Sequence, residues 1–251
     1  MRCTIVGAGV SGLSSGIRLL EGGHDARIVS DKFSPETVSD VAAAIWYPFL
    51  VKPADRADTW GIVTYDVLES LSDSDPEAGV KMIDGREYLR SDVAPPPWSA
   101  DIAAFRILEG SEIPDGYVFG WEFRAPAIDM HYYMPWLKNR FEDLGGTFEE
   151  GFVEDLGSLG GDVVVNCVGL GARELCDDQE VKPARGQIIF IEQDPGIGHL
   201  IGLMFHRAWT LKEIATKLDN DGDKNLLQKI AKNHSEEGYN IMFQSGYGGE
   251  H

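Results

Sequence analysis

The run RCTIVGAGVSGL at positions 2–13 constrains this chain more than any other stretch. A short β-rich segment leads directly into Gly7, Gly9 and Gly12, spaced G-x-G-x-x-G. Val10, Leu13, Ile17 and Leu20 then fall on one helical face. Each glycine has a separate steric task in such a turn. Gly7 permits the tight bend from strand to helix, Gly9 lets the backbone approach a pyrophosphate, and Gly12 lets the helix pack close to the strand. The pyrophosphate would rest on unpaired N–H groups at the positive end of the helix. Gly7, Ala8, Gly9, Ser11 and Gly12 are therefore the first expected cofactor contacts.

The context supports that reading. EGGHD (21–25) is a turn signal, and ARIVSD (26–31) reads as a second strand closing on Asp31, nineteen residues after Gly12. An acidic side chain there can accept hydrogen bonds from a ribose 2′-OH. Lys32 is either a solvated loop charge or a phosphate or adenine-side contact. The pattern favours FAD over NAD without deciding between them. The next convincing buried strand, DVVVNCVGLG at 162–171, comes some 130 residues later, so a large insertion interrupts the sheet order.

Composition narrows the partners. Among 251 residues, 41 are acidic and 22 are Lys or Arg, a formal charge of −19 that repels polyanions such as nucleic acid. Cys3, Cys167 and Cys176 have no metal-ligand spacing and suggest no disulfide framework, which fits a reducing compartment. The longest apolar run, VAAAIWYPFLV at 41–51, contains Pro48 and is too short to span a membrane. A cytoplasmic protein is expected, with a homo-oligomer left open.

Further along, residues 34–61 read as irregular. TWGIVTYDVLESLSD (59–73) predicts a helix, and REYLR, FRILE and GYVFGWEFRAP predict strands around the loop DVAPPPWS. Tyr133, Leu137, Phe141 and Leu144 mark an amphipathic helix ending at Gly145-Gly146. TFEEGFVEDL (147–156), DVVVN and ARGQIIFIEQ (184–193) predict further strands. RAWTLKEIATKL (207–218) and KNLLQKIAKNHSEEG (224–238) predict two helices around DNDGD. That acidic turn fails as a calcium loop. With Asp219 first, the sixth position is Lys224 and the twelfth is Ile230.

Four ordered stretches resemble the FAD-dependent D-amino acid oxidase family: IVGAGVSGLS, SDKFSPETVSDVAAAIWYPF, VVVNCVGLGARELCDD and VKPARGQII, together covering residues 1 to about 192. SDVAAAIWYPF is the most specific of them. The resemblance implies an α/β Rossmann-like FAD-binding domain, discontinuous over 1–61 and 131–192. A shortened, mixed β-rich substrate-domain portion would occupy 62–130, and a divergent helical segment 193–251. It places Asp31 and Lys32 at the ADP half of FAD, and Thr37 and Ser39 near the phosphates and ribityl chain. Ala43, Ala44 and Ile45 would present backbone to the flavin ring. Val153 would bracket the adenine, and the turn from Cys167 to Gly169 would pass near the ADP moiety. Val38 and Ala44 depart from the family, which often has a polar residue and Gly at these two positions.

In such enzymes the α-hydrogen of a D-amino acid leaves as hydride to the flavin. The imino acid hydrolyses to a keto acid and ammonia, and oxygen regenerates the cofactor with release of hydrogen peroxide. The family's substrate carboxylate clamp, an Arg with Tyr partners, lies beyond the RGQI strand. There this chain has only Arg207, in surroundings that do not match, and SGYGGEH is a loose match to the family's glycine-rich loop. Catalytic residues are therefore not assigned. Two functions follow: oxidation of D-amino acids, or FAD binding by a truncated or rearranged relative without turnover. An NAD(P)-linked dehydrogenase fits the glycines but leaves SDVAAAIWYPF unexplained.

Overall fold

A computed structural model describes residues 1–42, 44–48 and 51–183, and beyond them the backbone of strands at 186–191, 200–202 and 240–245. The chain begins with β1 (Arg2–Val6), α1 (Val10–Glu21) and β2 (Asp25–Ser30), followed by β3 (Ala44–Ile45) and α2 (Ala54–Ser74). It continues with β4 (Val80–Leu89), β5 (Arg106–Ile107), β6 (Phe119–Ile128), α3 (Met130–Asp143) and β7 (Thr147–Glu150). Last come β8 (Val163–Asn166), α4 (Ala172–Leu175), β9 (Gly186–Ile191), β10 (Leu200–Gly202) and β11 (Asn240–Ser245). Two compact units result: Met1–Met82 with Pro126–Ala184, and Ile83–Ala125 with Arg185–His251.

The first unit is built on a parallel sheet of order β7-β2-β1-β8. Its central strand, β1, is buried at Cys3, Thr4, Ile5 and Val6, on both faces of the pleat. A strand covered on both sides requires a continuous apolar run rather than alternation, and CTIV supplies nearly that. β1 pairs with β2 from Arg2↔Asp25 to Val6↔Val29, and with β8 from Cys3↔Val163 to Val6↔Asn166. The insertion expected from the sequence lies between β2 and β7 in the chain, yet these two strands are neighbours in the sheet.

α1 covers this sheet with Leu13 and Ile17, and α3 packs against α1, with Met134, Leu137 and Phe141 in the same buried core. Phe141 is fully buried, and its ring occupies the space that a Cβ on Gly16 or Gly146 would take, at 2.5 Å from each. It also packs against Phe148 at 5.0 Å between ring centroids. The helix ends are fixed by local chemistry. Asp129 caps α3 by accepting the His131 N–H at 3.0 Å, and Trp136 Nε1 donates to Asp75 at 2.8 Å.

α2 starts five residues before the position predicted for it, because cap residue Pro53 sits where its missing N–H costs nothing. Its buried face holds Ala57, Tyr65 and Leu68. Trp46 meets Tyr65 edge-on at 5.0 Å and donates its indole N–H to the Gly61 carbonyl at 2.7 Å. The segment 34–61 thus contains a 3-10 turn over Val38–Val41, the short strand β3 and the first turns of α2. The range 62–130, expected to be β-rich, contains β4, β5 and β6, but its first residues, up to Ser74, belong to α2.

A second sheet has the order β10-β4-β6-β3, with β5 also paired to β6. Within the second unit Trp98, Phe105, Trp121 and Phe123 form a cluster of edge and tilted ring contacts at 5.6–5.9 Å. An ion network crosses the surface of the same strands. Glu122 receives Arg86 at 2.6 Å and Arg106 at 2.9 Å, and Arg106 also engages Glu112 at 2.8 Å. β9 and β11 pair in parallel from Gly186↔Asn240 to Ile191↔Ser245. The predicted helices at 207–218 and 224–238 lie outside the described residues, as does Arg207.

Two measurements check this account. Phe141→Ala should lower the unfolding free energy by about 3–5 kcal/mol in urea titration, since it removes a fully buried ring from the core. The hydrogen bonds from Arg106, with the Glu109 N–H, hold the Glu112 carboxyl down at about 2. The stability it contributes is present above the ordinary Glu range and lost as pH falls toward 2, and a carbon-13 NMR titration of Glu112 should place its midpoint there.

Candidate functional site

The turn between β1 and α1 is packed so closely that Gly7 and Gly12 cannot be replaced without moving backbone. Gly7 has φ +104°, a left-handed conformation that side chains disfavour, and its N–H donates to Val29 O at 2.9 Å. A Cβ on Gly7 would lie 2.5 Å from the Cys167 carbonyl oxygen, and one on Gly12 would lie 1.8 Å from the Gly7 carbonyl oxygen. Ala8 is buried and Ser11 exposed. Gly9 is the N-terminal flanking residue of α1 and has no side chain with which to cap it. The first-turn N–H groups of a helix have no partner inside the helix. Here only Val10 N–H is shown to be taken by a side chain, the Ser39 hydroxyl at 3.0 Å.

β2 ends at Ser30, so Asp31 lies one residue past the strand rather than closing it. The Ser30 hydroxyl donates to the Lys32 carbonyl at 2.7 Å and fixes the turn that presents both side chains. Asp31 and Lys32 are exposed, and among the described residues neither side chain makes a hydrogen bond or ion pair. Thr37 and Ser39 flank the start of the 3-10 turn and are not equivalent. The Thr37 hydroxyl and N–H both donate to the Asp40 carboxylate, at 2.5 and 2.9 Å, and the Ser34 hydroxyl joins them at 2.5 Å. Thr37 has therefore committed its proton. Ser39 accepts from Val10 N–H, which leaves its own O–H available to donate.

The remaining positions lie on three further elements. Ala43 falls outside the described residues. Ala44 and Ile45 form β3, half-buried and paired with Ile128 and Ala127 of the second sheet. Val153 is half-buried in the loop after β7, and that loop is tied to β2 by the Gly151 N–H donating to Ser30 O at 3.0 Å. Cys167 follows β8 with its N–H on Val6 O at 2.8 Å and its Sγ 3.8 Å from the Ser15 hydroxyl. Burial pushes the Cys167 thiol up from its ordinary range. Gly169 has φ +59° and open space where a side chain would stand.

Gly7, Gly9, Gly12, Ser39 and Cys167 are thus in direct contact, and Asp31 and Val153 are linked through Ser30 and Gly151. Ala44 and Ile45 stand on a different sheet from the glycine turn. Two organising residues escape a reading of the sequence alone. Asp40 forms a capping box with Thr37, legible as T-x-x-D only once the turn is known to start there. Ser30 looks like an ordinary strand residue, and only the structure shows its two tasks, its hydroxyl donating to the Lys32 carbonyl and its own carbonyl accepting from the Gly151 N–H.

Residues 2–214 match the model of a family described as FAD dependent oxidoreductase. The chain belongs to that family. It is 39% identical over 203 residues to a D-amino-acid oxidase of Rubrobacter xylanophilus, covering 80% of this chain and 62% of that protein. It is 38% identical to a D-amino-acid oxidase of Dictyostelium discoideum, covering 75% of this chain and 56% of the relative. With the human D-aspartate oxidase the identity is 34%, covering 80% and 62%. The chain therefore spans about three fifths of the length of these curated relatives.

Among solved structures, an L-amino acid deaminase from Proteus myxofaciens superposes with a TM-score of 0.59 at 15% identity, over 80% of this chain and 54% of that one. An L-proline dehydrogenase from P. horikoshii does so with a TM-score of 0.56 at 11% identity, over 80% and 64%. At such identities these two establish the fold alone, a Rossmann-like α/β arrangement.

The steric reading of the turn has a direct test. Gly12→Ala places a methyl group against the backbone oxygen of Gly7, which no rotamer change relieves. It should cost at least about 1–3 kcal/mol of stability in urea titration.

Proposed function

We propose that this chain binds FAD and oxidatively deaminates D-amino acids, giving an imino acid that hydrolyses to a keto acid and ammonia, with hydrogen peroxide formed from oxygen. The observation that carries the proposal is the 39% identity over 203 residues to a D-amino-acid oxidase, beside a family match over residues 2–214 that includes the whole glycine turn. The residues present fit the cofactor. A helix N-terminus whose flanking residue lacks a side chain, together with a Ser39 O–H and an Asp31 carboxylate that find no acceptor or donor among the described residues, suits a pyrophosphate followed by a ribose.

In this reading the backbone from Gly7 to Gly12, including Ala8 and Ser11, holds the pyrophosphate with the positive end of α1. Ser39 donates to a phosphate oxygen, while Thr37 holds the turn in place through Asp40. Asp31 accepts from the ribose, and Lys32 offers a charge on the adenine side. Val153 and the turn from Cys167 to Gly169 border the ADP moiety, and Ala43, Ala44 and Ile45 border the ring system. FAD, when bound, supplies the acceptor for the electron pair of the substrate's α-C–H bond. The protein's contribution is orientation and exclusion of water. The first unit holds the cofactor, and β4, β5 and β6 contribute to the substrate side. Cys3, Cys167 and Cys176 are all free, which fits a cytoplasmic setting. Among the described residues no helix is long and apolar enough to cross a membrane.

A second reading, FAD binding without turnover, is favoured by one observation. Arg207, the arginine that follows Arg185, lies in LMFHRAWTL, surroundings that do not match the family's clamp, and a bidentate guanidinium is the natural group for a substrate carboxylate. One experiment separates the two. The purified chain should absorb between 350 and 500 nm as a flavoprotein, and D-alanine added without oxygen should bleach it. A flavin that stays oxidised across a panel of neutral and acidic D-amino acids would support the second reading. A colourless protein that takes up no FAD would refute both.

A further inference from the structure

We infer that Phe152 is the stacking surface for the adenine of the cofactor, an inference that rests on the FAD reading above. β7 pairs with β2 in parallel as far as Ser30↔Glu150, and the Gly151 N–H continues the ladder onto Ser30 O. Phe152 is thus the second residue past the carboxyl end of β7, as Lys32 is the second past that of its parallel neighbour β2. It therefore lies at the carboxyl ends of the strands, where open α/β sheets bind their ligands, beside the exposed Asp31.

Phe152 is 76% exposed, a large apolar ring left mostly uncovered among the described residues. The other aromatic residue of this corner cannot serve. Phe33 is held edge-on against Phe148 at 5.5 Å, and Phe148 in turn packs on Phe141. Val153, the next residue along, is half-buried and narrow. A flat, exposed ring next to a ribose-binding carboxylate matches one chemical class, a purine attached to that ribose. Stacking of this kind tolerates any aromatic residue and fails with a small one. The ring would bind the ADP half of the cofactor and leave the isoalloxazine half untouched.

The test compares wild type, Phe152→Ala and Phe152→Trp by titrating apoprotein with FAD, ADP and FMN, using calorimetry together with tryptophan emission. Phe152→Ala should weaken FAD and ADP by about tenfold and leave FMN unchanged. Phe152→Trp should retain wild-type affinity and show ADP-dependent quenching beyond that of wild type. Because the side chain is exposed, the urea midpoint of both variants should match wild type. Equal FAD and ADP affinity in wild type and Phe152→Ala would overturn the adenine role while leaving FAD binding intact. Equal weakening of FMN would overturn it too, by showing a general loss of the site. Failure of the wild-type chain to bind FAD would overturn the functional reading and this inference together.

Discussion

The close approach of three backbone segments at the head of the parallel sheet governs much of the first unit. Gly7 lies against the carbonyl of Cys167, and Gly12 lies against the carbonyl of Gly7, at separations that admit hydrogen but not carbon. This contact sets how near α1 can come to β1 and β8. It brings the turn after β8 to the same point as the turn after β1, and it leaves the amino end of α1 facing outward. A Cβ on Gly9 would come within 2.9 Å of Ser39 Oγ, so the 3-10 turn bearing Ser39 is docked by the same absence of side chains.

In the proposed reading, charge explains why such a construction would be needed. A protein with a net charge of −19 has no long-range attraction for a pyrophosphate. Attraction must be local, from N–H dipoles at close range, and close range requires glycine. The hydroxyl groups divide the work through their protons. Thr37 gives its proton to Asp40 and becomes part of the scaffold, whereas Ser39 keeps its proton free by accepting from Val10. Two residues that look alike in the sequence are thereby separated by what each is bonded to.

The elements most legible in the sequence were those with a strong period or a steric punctuation mark. α1 and α3 show apolar residues at helical spacing and end on Gly22 and Gly145, so their extents could be read closely. β1 and β2 needed only their β-branched composition. The stretch around Ala44 was legible only as a resemblance, because two strand residues paired to Ile128 and Ala127 leave no periodic trace. α2 began earlier than its apolar pattern suggested, since its first turn is polar and exposed and is set by Pro53 rather than by packing.

The sequence by itself determined the glycine turn between a strand and a helix, the acidic residue Asp31 after the second strand, and the family, because glycine spacing and the order of short motifs survive without knowledge of contacts. The tertiary structure alone decided that β2 and β7 are neighbours across more than a hundred intervening residues, which places Gly151 on Ser30. It alone decided that Phe33 is half-buried against Phe148 while Phe152 is exposed. The reason is that strand pairing and burial depend on residues far apart in the chain, whereas a glycine turn is specified within a dozen.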